Sequence, residues 1–185
     1  MKSQEITIFI SHTDETEKEC AIVKSIVTEL TQRHFLRYDY KFNPICWKDF
    51  LPGVGDPQKD KIDPYIMDSN CKLVVMIFWT IYGSLQNNAK SGMKHEYKLA
   101  RDCGKEIWPY FSDCKIRPSQ IQPEQLAKVK ELKEKISRET LHGGDYQTER
   151  EFKQKFEKHF TDWVYDNYIE VNRLQDKFRS QTRGF

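Results

Sequence analysis

Seven consecutive apolar residues, Leu73 to Trp79, constrain this chain more than any other feature. The run is too short to cross a bilayer. It is rich in β-branched and aromatic side chains and is bounded by polar sequence, which is the pattern of a buried strand. Three further strand-like segments are read. They are Glu5–Ile10, part of Phe35–Cys46, where Tyr38, Tyr40 and Phe42 alternate, and Glu106–Phe111. Pro109 predicts that the last of these is an edge strand or a strand end. Helical periodicity fills the intervals. Cys20, Ile22, Val23, Ile26, Val27 and Leu30 recur at helical spacing between Glu17 and Arg33, Ile62, Tyr65 and Ile66 suggest a short helix, and Gly92–Asp102 forms another, stopped by Gly104. Alternation of strand and helix through residue 111 predicts an α/β fold with a parallel sheet of about four to five strands flanked by helices.

Beyond residue 111 the sequence reads as helical. Pro123–Glu139 carries the stripe Leu126, Val129, Leu132 and Ile136, Gly143-Gly144 breaks it, and a second helix over about Thr148–Tyr168 carries Phe152, Phe156, Phe160, Trp163 and Val164. Aromatic residues at this spacing are core-forming. One domain over 1–170 is expected, with a polar, basic tail over 171–185 that would fray or lead into further sequence.

Charge and cysteine content narrow the function classes. Thirty basic and 28 acidic side chains leave a formal charge of +2, which gives no electrostatic case for nucleic acid or an anionic membrane as the main partner. The opening Met1–Glu5 leads straight into a strand without a signal-peptide pattern, so a cytoplasmic location is expected. Five cysteines occur at wide spacing with no CxxC pair, so no zinc knuckle is indicated and buried free thiols are expected, Cys103 included as a packing residue. No metal triad has ligand spacing, and His12 and His95 read as polar rim residues.

In open α/β sheets ligands bind beyond the carboxyl ends of the strands. Those ends carry Ser11-His12, Trp47, Trp79-Thr80 and Ser112-Asp113, and the same edge holds the Pro/Gly-rich loop 48–58 and the start of the helix bearing Glu96. Aromatics, hydroxyls and a carboxylate suit a nucleoside or dinucleotide. No GxGxxG or P-loop follows a strand, so ordinary Rossmann and P-loop chemistry is not indicated. On position alone Glu96 reads equally well as a ligand-facing acid or as an early-helix acid favoured by the helix dipole.

Phe9-Ile10-Ser11-His12 after the first strand, Trp47-Lys48-Asp49-Phe50-Leu51-Pro52-Gly53, the Pro-Gly-x-Gly-x-Pro-Gln pattern over 52–58, Ser91-Gly-x-x-x-Glu96 and Gly104-Lys105 resemble the motifs of bacterial TIR-like domains. The resemblance covers about residues 5–113. It implies a flavodoxin-like fold and NAD⁺ as substrate, cleaved at the nicotinamide–ribose bond with no other cofactor, and Glu96 as the catalytic carboxylate. It further implies substrate contacts from Phe9, Ser11, His12, Trp47, Phe50, Pro52, Gly53, Trp79 and Ser91. Many such relatives are toxins or anti-phage effectors that deplete NAD⁺ or make cyclic ADP-ribose-type signals. They are activated by self-association, here through loop 48–58, or by a sensor domain or partner protein. Two other readings are a non-catalytic TIR interaction module and a nucleoside 2-deoxyribosyltransferase-like enzyme.

Overall fold

The computed structural model describes residues 3–51, 55–82, 92–139 and 144–171. Five strands, β1 (Gln4–His12), β2 (Tyr40–Cys46), β3 (Cys71–Phe78), β4 (Glu106–Ser112) and β5 (Gly144–Tyr146), form one sheet in the order β2-β1-β3-β4-β5. Every neighbouring pair is parallel. Parallel strands need crossovers, and four helices supply them: α1 (Glu17–Leu30), α2 (Asp63–Met67), α3 (Gly92–Asp102) and α4 (Pro123–Glu139), while α5 (Glu149–Val164) follows the last strand. One face of the sheet, with Ile6, Ile8, Ile10, Leu73, Val75 and Ile77, packs on α1 and α5. The other, with Phe9, Val74, Met76 and Phe78, packs on α2, α3 and α4. Burial on both faces is why β3 is apolar at nearly every position rather than alternating.

α3 and α4 have the bounds that periodicity predicts. Three segments depart from a regular α-helix. Thr31–Phe35, Gln58–Ile62 and Tyr165–Ile169 are wound as π-turns, so α1 and α5 end before Arg33 and Tyr168. The expectation of helix alone after residue 111 is corrected by β5, which pairs with β4 at Tyr110, Phe111 and Ser112. That short pairing also accounts for Pro109. It precedes Tyr110, the first residue paired with β5, so on that side the strand is still an edge at Pro109, while Met76 of β3 stands opposite it on the other.

The cysteine expectation is also corrected. Cys20, Cys46 and Cys71 are buried, but Cys103 is exposed and Cys114 half-buried. Cys103 lies outside the packed surface because α3 has already ended at Asp102. Gly104 (φ +64°) closes that helix. Its N–H donates to the Arg101 carbonyl at 3.0 Å, and the Lys105 N–H donates to the Ala100 carbonyl at 2.9 Å. This paired closure needs a left-handed residue. A Cβ on Gly104 would meet no atom within 4 Å, so Gly104→Ala bears only the backbone penalty. It is expected to lower stability by about 1 kcal/mol in urea unfolding.

Candidate functional site

The pleat of β1 decides what reaches the ligand edge. Successive side chains point to opposite faces, so Phe9 and Ser11 fall on the α3 side, whereas Ile8, Ile10 and His12 fall on the α1 side. β1 is flanked by β2 and β3, and between β1 and β3 the strand order reverses. This is the switch point at which open sheets form a crevice. Ser11 stands at its carboxyl end, and Glu96 descends on it from the first turns of α3.

The Ser11 hydroxyl donates to Glu96 Oε2 in a close, fully buried contact. Glu96 is 6% exposed and Ser11 1%. Burial pushes the Glu96 carboxyl above its usual 4.5. The hydrogen bonds from Ser11 and Gln58 and the charge of His95 oppose that rise, and nearby Asp63 adds to it. Gln58 Nε2 also donates to Asp63 Oδ1 at 2.9 Å, and His95 Nε2 lies 2.9 Å from Asp63 Oδ2. Glu96 therefore ends a chain of polar side chains running through Gln58 and Asp63 to His95. A buried carboxyl held by a hydroxyl and an amide can change protonation without losing its position.

A second acid organises the neighbouring strand end. Glu15 accepts the Thr80 N–H at 2.7 Å, the Thr80 hydroxyl at 2.7 Å and the Ile81 N–H at 2.6 Å. It satisfies the Thr80 and Ile81 amides just beyond β3, which would otherwise be orphaned at the rim of the crevice.

A cavity of about 690 Å³ opens beside the site, lined by Trp47, Phe50, Leu51, Pro57, Asp60 and Ile62 among others. Its volume suits a nucleotide-sized ligand. Glu96 and Ser11 are not in its wall. Gln58 links the two, because it follows the wall residue Pro57 and hydrogen-bonds toward Glu96.

The structure sorts the residues expected from sequence. Ser11 and Glu96 meet. Trp47 and Phe50 line the cavity, Phe50 resting on Tyr65 with ring centroids 4.8 Å apart. Phe9 is sealed in the core at 1% exposure and packs rather than faces a ligand. His12 turns away from Glu96, toward α1. Its Nδ1 lies 2.8 Å from the Thr13 carbonyl, and its ring faces Trp47 at 6.1 Å. Trp79 uses its indole N–H to tie β3 to the Cys114 carbonyl at 3.3 Å. Pro52, Gly53 and Ser91 lie outside the described residues. The sequence reading missed Glu15, Gln58 and Asp63. Gln58 alone carried a signal, as the last residue of the Pro-Gly-x-Gly-x-Pro-Gln pattern.

The strand order 2-1-3-4-5, all parallel and covered by helices on both faces, defines a flavodoxin-like α/β domain. The chain belongs to the family described as Domain of unknown function (DUF4062), whose model matches residues 7–181. No curated protein matches it. Among solved structures it is similar to translation elongation factor SelB from Methanococcus maripaludis, at 12% identity and a TM-score of 0.49, covering 90% of this chain and 36% of that one. It thus spans about a third of SelB. It is also similar to flavodoxin 1 from Bacillus cereus, at 15% identity and a TM-score of 0.41, covering 88% and 97%. The fold assignment rests on the strand order, not on these likenesses. No helix among the described residues is long and apolar enough to cross a membrane.

Proposed function

We propose that this domain cleaves NAD⁺ at the nicotinamide–ribose bond, with Glu96 as the catalytic carboxylate. The observation that carries the reading is the buried Glu96–Ser11 contact at the β1/β3 switch point. The resemblance of the motifs to TIR-like domains supplies the substrate class.

The chemistry asks little of the protein beyond that carboxylate. The C–N bond breaks with its electron pair passing to the pyridinium nitrogen, so nicotinamide leaves neutral and no general acid is needed. Positive charge develops on the ribose as in glycoside hydrolysis. An ionised Glu96 beneath the sugar stabilises that charge. Water then attacks the anomeric carbon and its proton is released, giving ADP-ribose. Capture by a ring nitrogen of the adenine would instead give a cyclic product. Ser11 and Gln58 hold the carboxylate, and the cavity at Trp47 and Phe50 offers faces on which aromatic rings stack. Because burial raises the Glu96 pKa, the rate is expected to climb with pH from above 4.5 until the carboxyl is fully ionised. Five free thiols fit a reducing compartment such as the cytoplasm.

A second reading, an interaction module, is favoured by Leu51, which is 82% exposed beside the cavity, and by the exposed Tyr65 and Met67. The same surface serves the first reading if assembly activates the enzyme. Incubating NAD⁺ with the chain over a wide range of protein concentrations separates the two. Nicotinamide release that rises more steeply than in proportion to protein is expected. An intact NAD⁺ pool at every concentration, with self-association present, would leave the interaction module standing.

A further inference from the structure

We propose that His12, Cys20 and Cys46 form a binding site for a single soft, thiophilic metal ion of the Cu(I) type, separate from the Glu96 site. The inference is independent of the proposed NAD⁺ chemistry. No spacing motif announces the trio; the fold assembles it. His12 ends β1, Cys46 ends β2, and Cys20 lies on the buried face of α1 that covers these strands. In register, Cys46 stands opposite Ile10, and by the pleat His12 projects to the same side as Ile10. The three ligand atoms all lie within 4.8 Å of one another. All three residues are at least nine-tenths buried, at 5%, 4% and 1% exposure.

Two features distinguish this cluster from thiols that merely pack. The first is His12. A carbonyl can only accept, so the 2.8 Å contact from Nδ1 to Thr13 O places the ring proton on Nδ1 and leaves a lone pair on Nε2. That Nε2 is buried and has no hydrogen-bond partner. A histidine whose Nδ1–H is fixed by a backbone carbonyl while Nε2 stays free is oriented as a metal ligand. The second is the convergence of the two buried thiols on this ring, all three ligand atoms lying within 4.8 Å of one another. Thiols that lose their protons become the thiolates that bind metal.

Ligand number and charge select the ion. Structural zinc takes four ligands, whereas the described cluster offers three and is closed to solvent. Thiolates favour Cu(I). Binding displaces the thiol protons, and two thiolates with one monovalent cation leave a single negative charge. The Lys24 ammonium, which reaches Cys46 and is paired with Asp49 at 2.6 Å, sits beside it. The bound ion would join the carboxyl ends of β1 and β2 to α1, directly beneath the turn that starts at Trp47 and walls the cavity.

The test uses the full chain, reduced and anaerobic, titrated with Cu(I) against a copper-specific chelator and, separately, with Zn²⁺ against a zinc chelator. One tightly held Cu(I) per chain is expected, with X-ray absorption showing two sulfur scatterers and one nitrogen. His12→Gln and Cys20→Ser should each weaken retention at least about 100-fold, more than an outer partner is worth. The double substitution Cys103→Ser and Cys114→Ser should change nothing. Because Cys20 is a core residue, the scattering measurement on the unsubstituted chain stands alone if that variant fails to fold. Retention unaffected by His12→Gln, binding lost with Cys103 and Cys114, a shell without sulfur, preference for Zn²⁺, or no uptake of Cu(I) would each overturn the proposal. So would a Cys20–Cys46 disulfide in the isolated protein that, once reduced, takes up no metal.

Discussion

Glu96→Gln is expected to make the protein more stable at neutral and alkaline pH while abolishing NAD⁺ cleavage. The carboxyl is buried, and its native pKa lies above the 4.5 of a free glutamate, with burial as the main cause. Between those two values the native protein holds a proton that the unfolded chain has released. The favourable contribution of the neutral carboxyl is therefore complete below about pH 4.5 and is lost as pH rises through the native value. Glutamine resembles the protonated carboxyl. Its carbonyl can accept from Ser11, and no charge has to be buried. Near pH 4 the variant and the parent should unfold alike. Above pH 7 the variant should gain roughly 1–4 kcal/mol, the range seen when buried ion pairs are replaced by uncharged side chains. For a chain of this size each kcal/mol raises the melting temperature by about 2–4 °C. Thermal unfolding scanned from pH 4 to 9 reads the effect directly. A variant less stable than the parent throughout would mean that Glu96 is ionised and structurally favourable, with no stability given up for a ligand.

The second large effect is structural and falls on the opposite face of the sheet. Phe156 is fully buried and packs against the rings of Phe160 at 5.9 Å and of Phe152, Trp108 and Tyr110 at 6.2 Å each. Phe156→Ala removes the middle of this stack, and neighbours held by α5 and β4 have little freedom to close the space. A loss of about 3–5 kcal/mol is expected, read as a lower urea midpoint at unchanged slope. The Glu96 site lies across the sheet, so any activity of the variant should follow its folded fraction rather than fall separately. A loss below about 1 kcal/mol would mean that the α5 face is not tightly packed against the sheet.

What could be read from the sequence follows from how each feature is encoded. β3, α3 and α4 were legible because each carries an uninterrupted apolar run or stripe. β5 was not, because three residues beginning with Gly144 hold no periodicity, and only pairing with Tyr110 to Ser112 makes them a strand. The π-turns were hidden because the same apolar spacing supports either winding. At the candidate site, motif resemblance singled out Glu96 and Ser11, and the structure brings the two into contact. The separation of His12 from Ser11 was available in principle, since adjacent residues of a strand must face opposite ways. Glu15 lies in a single polar turn and Asp63 at the start of α2, and neither position marks a role in the sequence. The approach of Cys20 and Cys46 to His12 depends on parallel register and on where α1 crosses, neither of which is written locally.

The central claim is that Glu96 performs chemistry, and it is tested most directly by quantifying nicotinamide and ADP-ribose products by chromatography and mass spectrometry. The parent chain and Glu96→Gln, matched in fold by circular dichroism, are incubated with NAD⁺ at high protein concentration. The account predicts steady nicotinamide formation by the parent and a drop of about 100- to 1,000-fold in the variant, as for removal of other charge-stabilising groups. Equal rates in the two proteins would contradict it, as would an intact NAD⁺ pool with an assembled parent.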